Sequence, residues 1–245
     1  MAAIMLLVTL AVPKPAAAAL LSEADEIRIG QQAAQELESE FGVVADPVQN
    51  ARLAGIGRRV AAVSDRPGLP WTFKVLRSRD VNAISLPGGF IYATEGMLRF
   101  VQSDHELAFV MAHEVGHVSA RHHVAMIERH YFYVIVVRVL FGGDPTSSQI
   151  ADIVRFFLTR GFSRENEFDA DRLAVTFAHR ARFDAAAGLT FMQRLRAAEG
   201  RDPNQFETLF RTHPALSDRI VRVREHLRGL GYRVRRGVLA RVAGR

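Results

Sequence analysis

The stretch SDHELAFVMAHEVGHVSARHH, from Ser103 to His123, decides the fold of this chain. Ser103 and the glutamate three residues later form a capping-box pattern, which predicts that a helix begins at Asp104. Residues 107–112 are all apolar, so this helix is apolar on every side, as is typical of a helix that is buried all round. We therefore expect a central helix around which the rest of the chain packs.

This helix carries the spacing H-E-x-x-H, as His113, Glu114 and His117. Because an α-helix has 3.6 residues per turn, the two histidines share one face, roughly 6 Å apart at Cβ, and both imidazoles can reach one ion. Zinc suits imidazole, and a catalytic zinc site uses three protein ligands and keeps one position open. Glu114 neighbours this face and can accept a proton from water. Burying these groups without a metal or other partners would be costly, which argues against a chance match.

A third ligand has to come from another segment, and the best candidate is SRENEFDAD at residues 163–171. It starts with a residue suited to cap a helix and continues with a helical pattern. Acidic residues early in a helix are also expected from the helix dipole alone, so spacing does not choose among them. The candidates are Glu165, Glu167, Asp169 and Asp171.

These motifs together resemble the zinc metallopeptidase family of the CAAX prenyl protease, HtpX and the Oma-type proteases, which are gluzincins, and most of all its soluble periplasmic quality-control members. The matching stretches run from about Glu23 to His226, and the resemblance implies a mainly helical α+β, zincin-like fold with a small β-sheet beside the HExxH helix. The stretches are HEVGH at 113–117, SR at 163–164, E-x-x-A-D at 167–171, NA at 82–83, LPGGFIY at 86–92, THP at 212–214 and DRI at 218–220.

The resemblance implies that Glu167 completes the ligand set for one zinc ion and that Asp171 orients a ligand histidine. It also places His213 near the metal, where the side chain either holds a closed, latent state or stabilises the oxyanion. The alternative for His213 is a histidine that merely precedes Pro214 at the start of a helix.

The sequence predicts three strands, at 71–76, 81–86 and 90–94, the last two forming a hairpin. An extended substrate could add to an open edge of this sheet through main-chain hydrogen bonds. The resemblance places that edge near Asn82 and Ala83. The alternative is that Asn82 is only a residue that starts a strand.

The remaining helices follow from apolar periodicity and from turn residues. They are expected from Ser22 to Gly42, after Pro47, and at 150–158, 184–198 and 215–227. The apolar run Tyr131–Phe141 is too short to span a bilayer, so it is interpreted as a core helix, and no transmembrane helix is expected in the mature chain. Residues 121–123 are interpreted as the charged end of the central helix, with His122 in solvent or, alternatively, supporting the metal site.

The chain has 245 residues, no cysteine and a formal net charge of +6. The lack of cysteine excludes disulfides and thiolate zinc ligands. We divide the chain into a signal peptide at 1–21, a zinc metallopeptidase domain at 22–230 and a basic C-terminal tail at 231–245. The arginines after Ile220 favour a solvated tail or contact with a membrane surface over nucleic acid, for which no motif is present.

The resemblance implies a zinc metalloendopeptidase that acts on unfolded or misfolded cell-envelope proteins, in the periplasm or on the periplasmic side of a membrane. His113, His117 and Glu167 would bind zinc, and Glu114 would act as the general base. Two alternatives are a catalytically silent, zinc-binding holdase and a membrane-surface regulator that works through its basic tail.

Overall fold

A computed structural model describes residues 21–130, 147–199, 203–235 and 238–241. Most of the predicted signal peptide and the whole apolar run Tyr131–Phe141 lie outside the described residues. Most of the described chain is helical. The α-helices are α1 Glu23–Phe41, α2 Pro47–Ala61, α3 Glu95–Phe100, α4 Asp104–Ser119, α5 His122–His130, α6 Ser147–Thr159, α7 Arg164–Arg180, α8 Ala186–Ala198, α9 Pro203–Thr212 and α10 Leu216–Gly229.

A small mixed sheet accompanies the helices, with strand order β1-β3-β2. Strand β3 pairs in parallel with β1 and antiparallel with β2, so Ile91 lies between Phe73 and Ser85. A 3-10 turn at Pro87–Gly89 joins β2 and β3, which confirms the predicted hairpin. A separate two-stranded sheet pairs β4 with β5. The strands are β1 Thr72–Leu76, β2 Ala83–Leu86, β3 Phe90–Thr94, β4 Tyr232–Arg235 and β5 Val238–Arg241.

The central helix α4 begins at Asp104, as predicted, and it is buried from Glu106 to Val118. The Ser103 side chain accepts a hydrogen bond from the Glu106 amide at 3.2 Å. The second half of the predicted capping box is wrong, however, because the Glu106 carboxylate accepts from the amide of Gln102 instead, at 2.7 Å. The same carboxylate forms an ion pair with Arg194 of α8, so it also fastens two helices together.

Helix α4 lies in the middle of the main core, between α2, α7, α8 and strand β2. It comes close to α7 at Gly116, where a Cβ atom would lie 3.1 Å from the Ala170 carbonyl oxygen and 3.2 Å from the Leu173 Cβ. The central helix and the sheet together confirm the predicted α+β class. Within the described residues, none of the helices combines the length and the apolar character that crossing a bilayer requires.

The structure also differs from the sequence prediction in places other than the capping box. Helix α9 was not predicted, although Phe206, Leu209 and Phe210 recur at helical spacing and its first residue, Pro203, suits the first turn of a helix. The folded part of the chain also continues past residue 230, where the basic tail was expected to begin. Tyr232 is buried in the main core, and its strand is paired.

Candidate metal centre

Four side chains from three separate parts of the chain meet in one buried cluster. His113 and His117 come from α4, Glu167 from the first turn of α7 and His213 from the residue after α9, and their donor atoms all lie within 4.8 Å of one another. The Nε2 atoms of His113 and His117 are 3.0 Å apart. Glu167 Oε1 lies 3.3 Å from His117 Nε2, and Glu167 Oε2 lies 3.6 Å from His113 Nε2.

The start of α7 explains why Glu167, of the four acidic candidates, reaches the histidines. Ser163 caps the helix by accepting a hydrogen bond from the amide of Asn166 at 3.2 Å. From that start, Glu165 points to solvent and Glu167 is fully buried against α4. Asp169 is about one-third exposed. The close approach at Gly116 brings the two helices near enough for the donors to meet.

The chemistry of the donors fits zinc. Burial, the largest effect, lowers the pKa of His117 well below its usual value, so its imidazole is neutral near pH 7 and keeps a lone pair for a metal. Two imidazole nitrogens that face each other at 3.0 Å beside a buried carboxylate suit a cation between them, and two imidazoles with one carboxylate are a common zinc ligand set.

A second layer of charged side chains lies behind these donors. Asp171 Oδ1 is 3.0 Å from His113 Nδ1. Arg219 donates hydrogen bonds to both carboxylate oxygens of Asp171 at 2.8 Å, and its Nη1 lies 2.6 Å from Glu167 Oε2. Burial, the largest single effect, raises the pKa of Glu167 and of Asp171, but Arg219 and the neighbouring histidines together hold both pKa values below their usual range.

Arg219 was not among the predicted site residues, although a signal for it is present in the sequence. It lies on the apolar stripe of α10, three residues after Leu216 and four before Val223, and all three side chains are buried. An arginine on an apolar stripe needs buried counter-charges, so its position indicates carboxylate partners inside the protein.

Glu114 is positioned by a hydrogen bond that spacing could not predict. Ser85 of β2 donates to Glu114 Oε2 at 2.6 Å, and the Ser85 hydroxyl also lies 3.3 Å from His123 Nε2. The other carboxylate oxygen of Glu114, Oε1, faces the cluster of candidate ligands and is 3.8 Å from His213 Nε2. Glu114 Oε2 is therefore fixed by a hydrogen bond from the sheet, and Oε1 remains free to act at the cluster of candidate ligands.

His213 lies inside the cluster rather than at the surface, buried between the acidic groups. Its Nδ1 is 3.1 Å from Glu167 Oε1 and 3.4 Å from His113 Nε2. Burial, the largest single effect, lowers the pKa of His213, but the charge and hydrogen bond of Glu167 together with the charge of Glu114 raise it overall. In this conformation the imidazole takes up space beside the candidate ligands.

The interpretation of His122 as a solvated residue is wrong. Helix α4 ends at Ser119, and the next helix begins at His122, so both His122 and His123 turn back into the protein and are buried. His122 Nδ1 lies 3.0 Å from His117 Nδ1. Burial lowers the pKa of His122 and lowers that of His123 to about 3.

The two predicted substrate-binding residues lie where β2 passes the cluster, at one edge of the three-stranded sheet. Ala83 lines an apolar cavity next to His113 and Glu114, together with Phe109, Phe191 and other side chains of α4, α8 and α9. Asn82 lines a neighbouring groove that also contains Glu114 and Phe162. Its Oδ1 is buried and accepts no hydrogen bond from the described residues.

Residues 47–227 match peptidase family M48. The mitochondrial metalloendopeptidase OMA1 of Schizosaccharomyces pombe is 32% identical over 206 residues, which are 82% of this chain and 61% of that protein. The beta-barrel assembly-enhancing protease of Escherichia coli K12 is 25% identical over 219 residues, 85% of this chain and 45% of that protein. Metalloprotease YcaL of the same strain is 24% identical over 216 residues, 86% of this chain and 83% of that protein. The chain thus spans about half the length of the first two relatives, and it belongs to peptidase family M48.

Proposed function

We propose that this chain is a zinc-dependent metalloendopeptidase that hydrolyses peptide bonds in unfolded or misfolded cell-envelope proteins. The observation that carries the proposal is the meeting of three candidate ligands with Glu114, whose Oε1 faces the same cluster. Membership of a peptidase family supports the reaction class. One relative is named for enhancing the assembly of β-barrels, which supports envelope proteins as substrates.

His113, His117 and Glu167 would hold the zinc ion. When bound, zinc supplies Lewis-acid chemistry, which polarises a carbonyl and makes a water molecule acidic enough to attack near neutral pH. Arg219 keeps Glu167 ionised for this purpose, and Asp171 holds His113 from behind at 3.0 Å.

Glu114 would move the proton. Its Oε2 is committed to the Ser85 hydroxyl, so Oε1 is the oxygen that accepts a proton from the attacking water. As the C–O bond forms and the C–N bond breaks, Oε1 passes that proton to the leaving amine. If His213 moves out of the cluster, its Nε2, which is now 3.8 Å from Glu114 Oε1, becomes available to stabilise the oxyanion.

The sheet edge favours unfolded substrates. A segment that binds beside Asn82 and Ala83 as another strand has to offer free main-chain N–H and C=O groups over several residues. In folded proteins most of these groups are already paired, so a flexible or misfolded chain fits better. The proposal includes a location in the periplasm or at the periplasmic face of a membrane, which rests on the predicted signal peptide and the basic tail.

The test compares zinc-loaded wild type with Glu114→Gln in cleavage of a reduced, unfolded protein. We expect Glu114→Gln to bind zinc normally and to cut at least about a hundredfold more slowly, the scale of a lost general base. Glu165→Gln is the matched control, because it makes the same change on an exposed side chain near the site. Equal cleavage by wild type and Glu114→Gln would reject the assignment.

A further inference from the structure

The candidate zinc ligands differ in what supports them from behind. The carboxylate of Asp171 contacts the ring of His113, and the guanidinium of Arg219 contacts the carboxylate of Glu167. The far ring nitrogen of His117, Nδ1, instead faces a second histidine, with 3.0 Å between the Nδ1 atoms of His117 and His122. Supporting groups of this kind usually fix the tautomer and the ring orientation of a ligand histidine.

The contact between His117 and His122 determines which nitrogen of each ring carries the proton. His117 Nε2 faces the other donors, so its lone pair is needed there and the ring proton sits on Nδ1. That N–H can donate only if His122 Nδ1 is an acceptor, which places the proton of His122 on its own Nε2. The Nε2 atom lies 3.6 Å from Asp169 Oδ2, an oxygen that favours a proton at this position.

The backbone and a neighbouring ring hold the two histidines in this arrangement. Arg121 adopts a φ of 56°, in the left-handed region, and this sharp turn brings His122 back to a ring five residues earlier in the chain. The Arg121 guanidinium donates to the Leu21 carbonyl at 2.6 Å, which anchors the turn. Phe162 stacks on the His117 ring, with centroids 3.8 Å apart and planes at 19°.

We propose that His122 is a positioning residue for the metal site. It accepts the Nδ1 proton of His117, keeps that imidazole in the tautomer that binds a metal through Nε2, and is itself oriented by Asp169. The inference rests on the proposed zinc site and adds to it a residue in the segment between the H-E-x-x-H helix and the third ligand.

The test measures zinc affinity by competition with a chromogenic chelator, independently of activity. His122→Phe keeps a ring but removes the acceptor, and we expect it to weaken zinc binding about 10- to 100-fold. His122→Asn is the rescue variant, because the asparagine amide oxygen takes up nearly the position of the histidine Nδ1. We expect its affinity to lie within about threefold of wild type.

His123→Phe is the matched control, since His123 is the adjacent buried histidine and its ring nitrogen lies near the Ser85 hydroxyl, while its ring meets His117 only edge-on, with centroids 6.2 Å apart. We expect it to leave zinc affinity within about twofold of wild type. The proposal is overturned if His122→Phe binds zinc as tightly as wild type, or if His122→Asn binds as weakly as His122→Phe.

Thermal unfolding of the metal-free proteins shows whether weaker zinc binding comes from the lost contact with His117 or from a destabilised fold. If His122→Phe does not fold, the zinc affinity of His122→Asn decides between a positioning and a space-filling role. A purely space-filling role predicts that the smaller asparagine weakens zinc binding. A wild type that binds no zinc would reject the proposed function itself, whereas unchanged affinity in the variants would reject only the role of His122.

Discussion

Replacing Arg219 with methionine should strongly destabilise the metal-free protein. Methionine keeps much of the apolar stem of arginine but removes the charge that faces two buried carboxylates. Asp171 would lose both hydrogen bonds from the guanidinium, and Glu167 would lose a contact of 2.6 Å. Among the described residues, Glu167 keeps His117 and His213 nearby, whereas Asp171 keeps only the His113 ring.

Removing one partner of a buried ion pair typically costs about 3 to 5 kcal/mol, because the other charge stays buried without compensation. Arg219 has two such partners, so we expect a loss of about 4 kcal/mol or more. That is a large part of the roughly 5 to 15 kcal/mol by which domains of this kind are stable. The variant should therefore be partly unfolded at moderate temperature without metal.

The assay is urea unfolding followed by circular dichroism, with a chelator present. Arg194→Met is the control, because Arg194 pairs with one carboxylate of the part of the chain that the structure describes, that of Glu106, and its side chain is one-quarter exposed. We expect that control to lose about 2 kcal/mol, the value of a charged hydrogen bond. If Arg219→Met loses less than Arg194→Met, the electrostatic role of Arg219 is refuted.

Three further predictions concern the same region. Ser85→Ala should lower kcat about tenfold with little change in KM, because Glu114 Oε2 loses its donor at 2.6 Å; an unchanged kcat would contradict this. His213→Ala should raise the cleavage rate, because it clears an imidazole that lies 3.1 Å from Glu167; a slower variant would instead assign His213 a catalytic role. Burial lowers the pKa of His123 to about 3. Below pH 6.5 the unfolded state therefore binds a proton at this residue that the folded state does not bind, and the free energy of unfolding falls on acidification. His123→Phe should remove about 1 kcal/mol of that loss per pH unit between pH 6 and 4, measured by urea unfolding with chelator; parallel pH profiles would reject this.

The parts of the fold that follow from periodicity within one element could be predicted from the sequence. Helix α4 begins at the predicted residue, because a capping serine and a continuous apolar run both mark its start. The spacing of His113 and His117 on that helix places two donors on one face before any tertiary contact is known. The choice of Glu167 needed the family resemblance, because only packing against α4 separates it from its acidic neighbours.

Two of the supporting residues, Ser85 and Arg219, were not predicted, because their roles depend on contacts between distant segments. Ser85 reaches Glu114 across 29 residues, and Arg219 reaches Asp171 across 48. His122 was interpreted as solvated because polar residues commonly follow the end of a helix. The left-handed turn at Arg121, which sends the chain back into the protein, has no glycine or asparagine to announce it.

Gly116 offers a way to adjust the site without changing any donor. Two candidate ligands lie on α4 and one on α7, and at residue 116 a hydrogen atom, rather than a side chain, determines how closely these helices approach. Larger residues at this position would move α4 and α7 apart by small steps, and the candidate ligands on the two helices would move apart with them. The size of the residue at position 116 thus sets the spacing between the candidate ligands on the two helices, and with it the size of ion that they could hold.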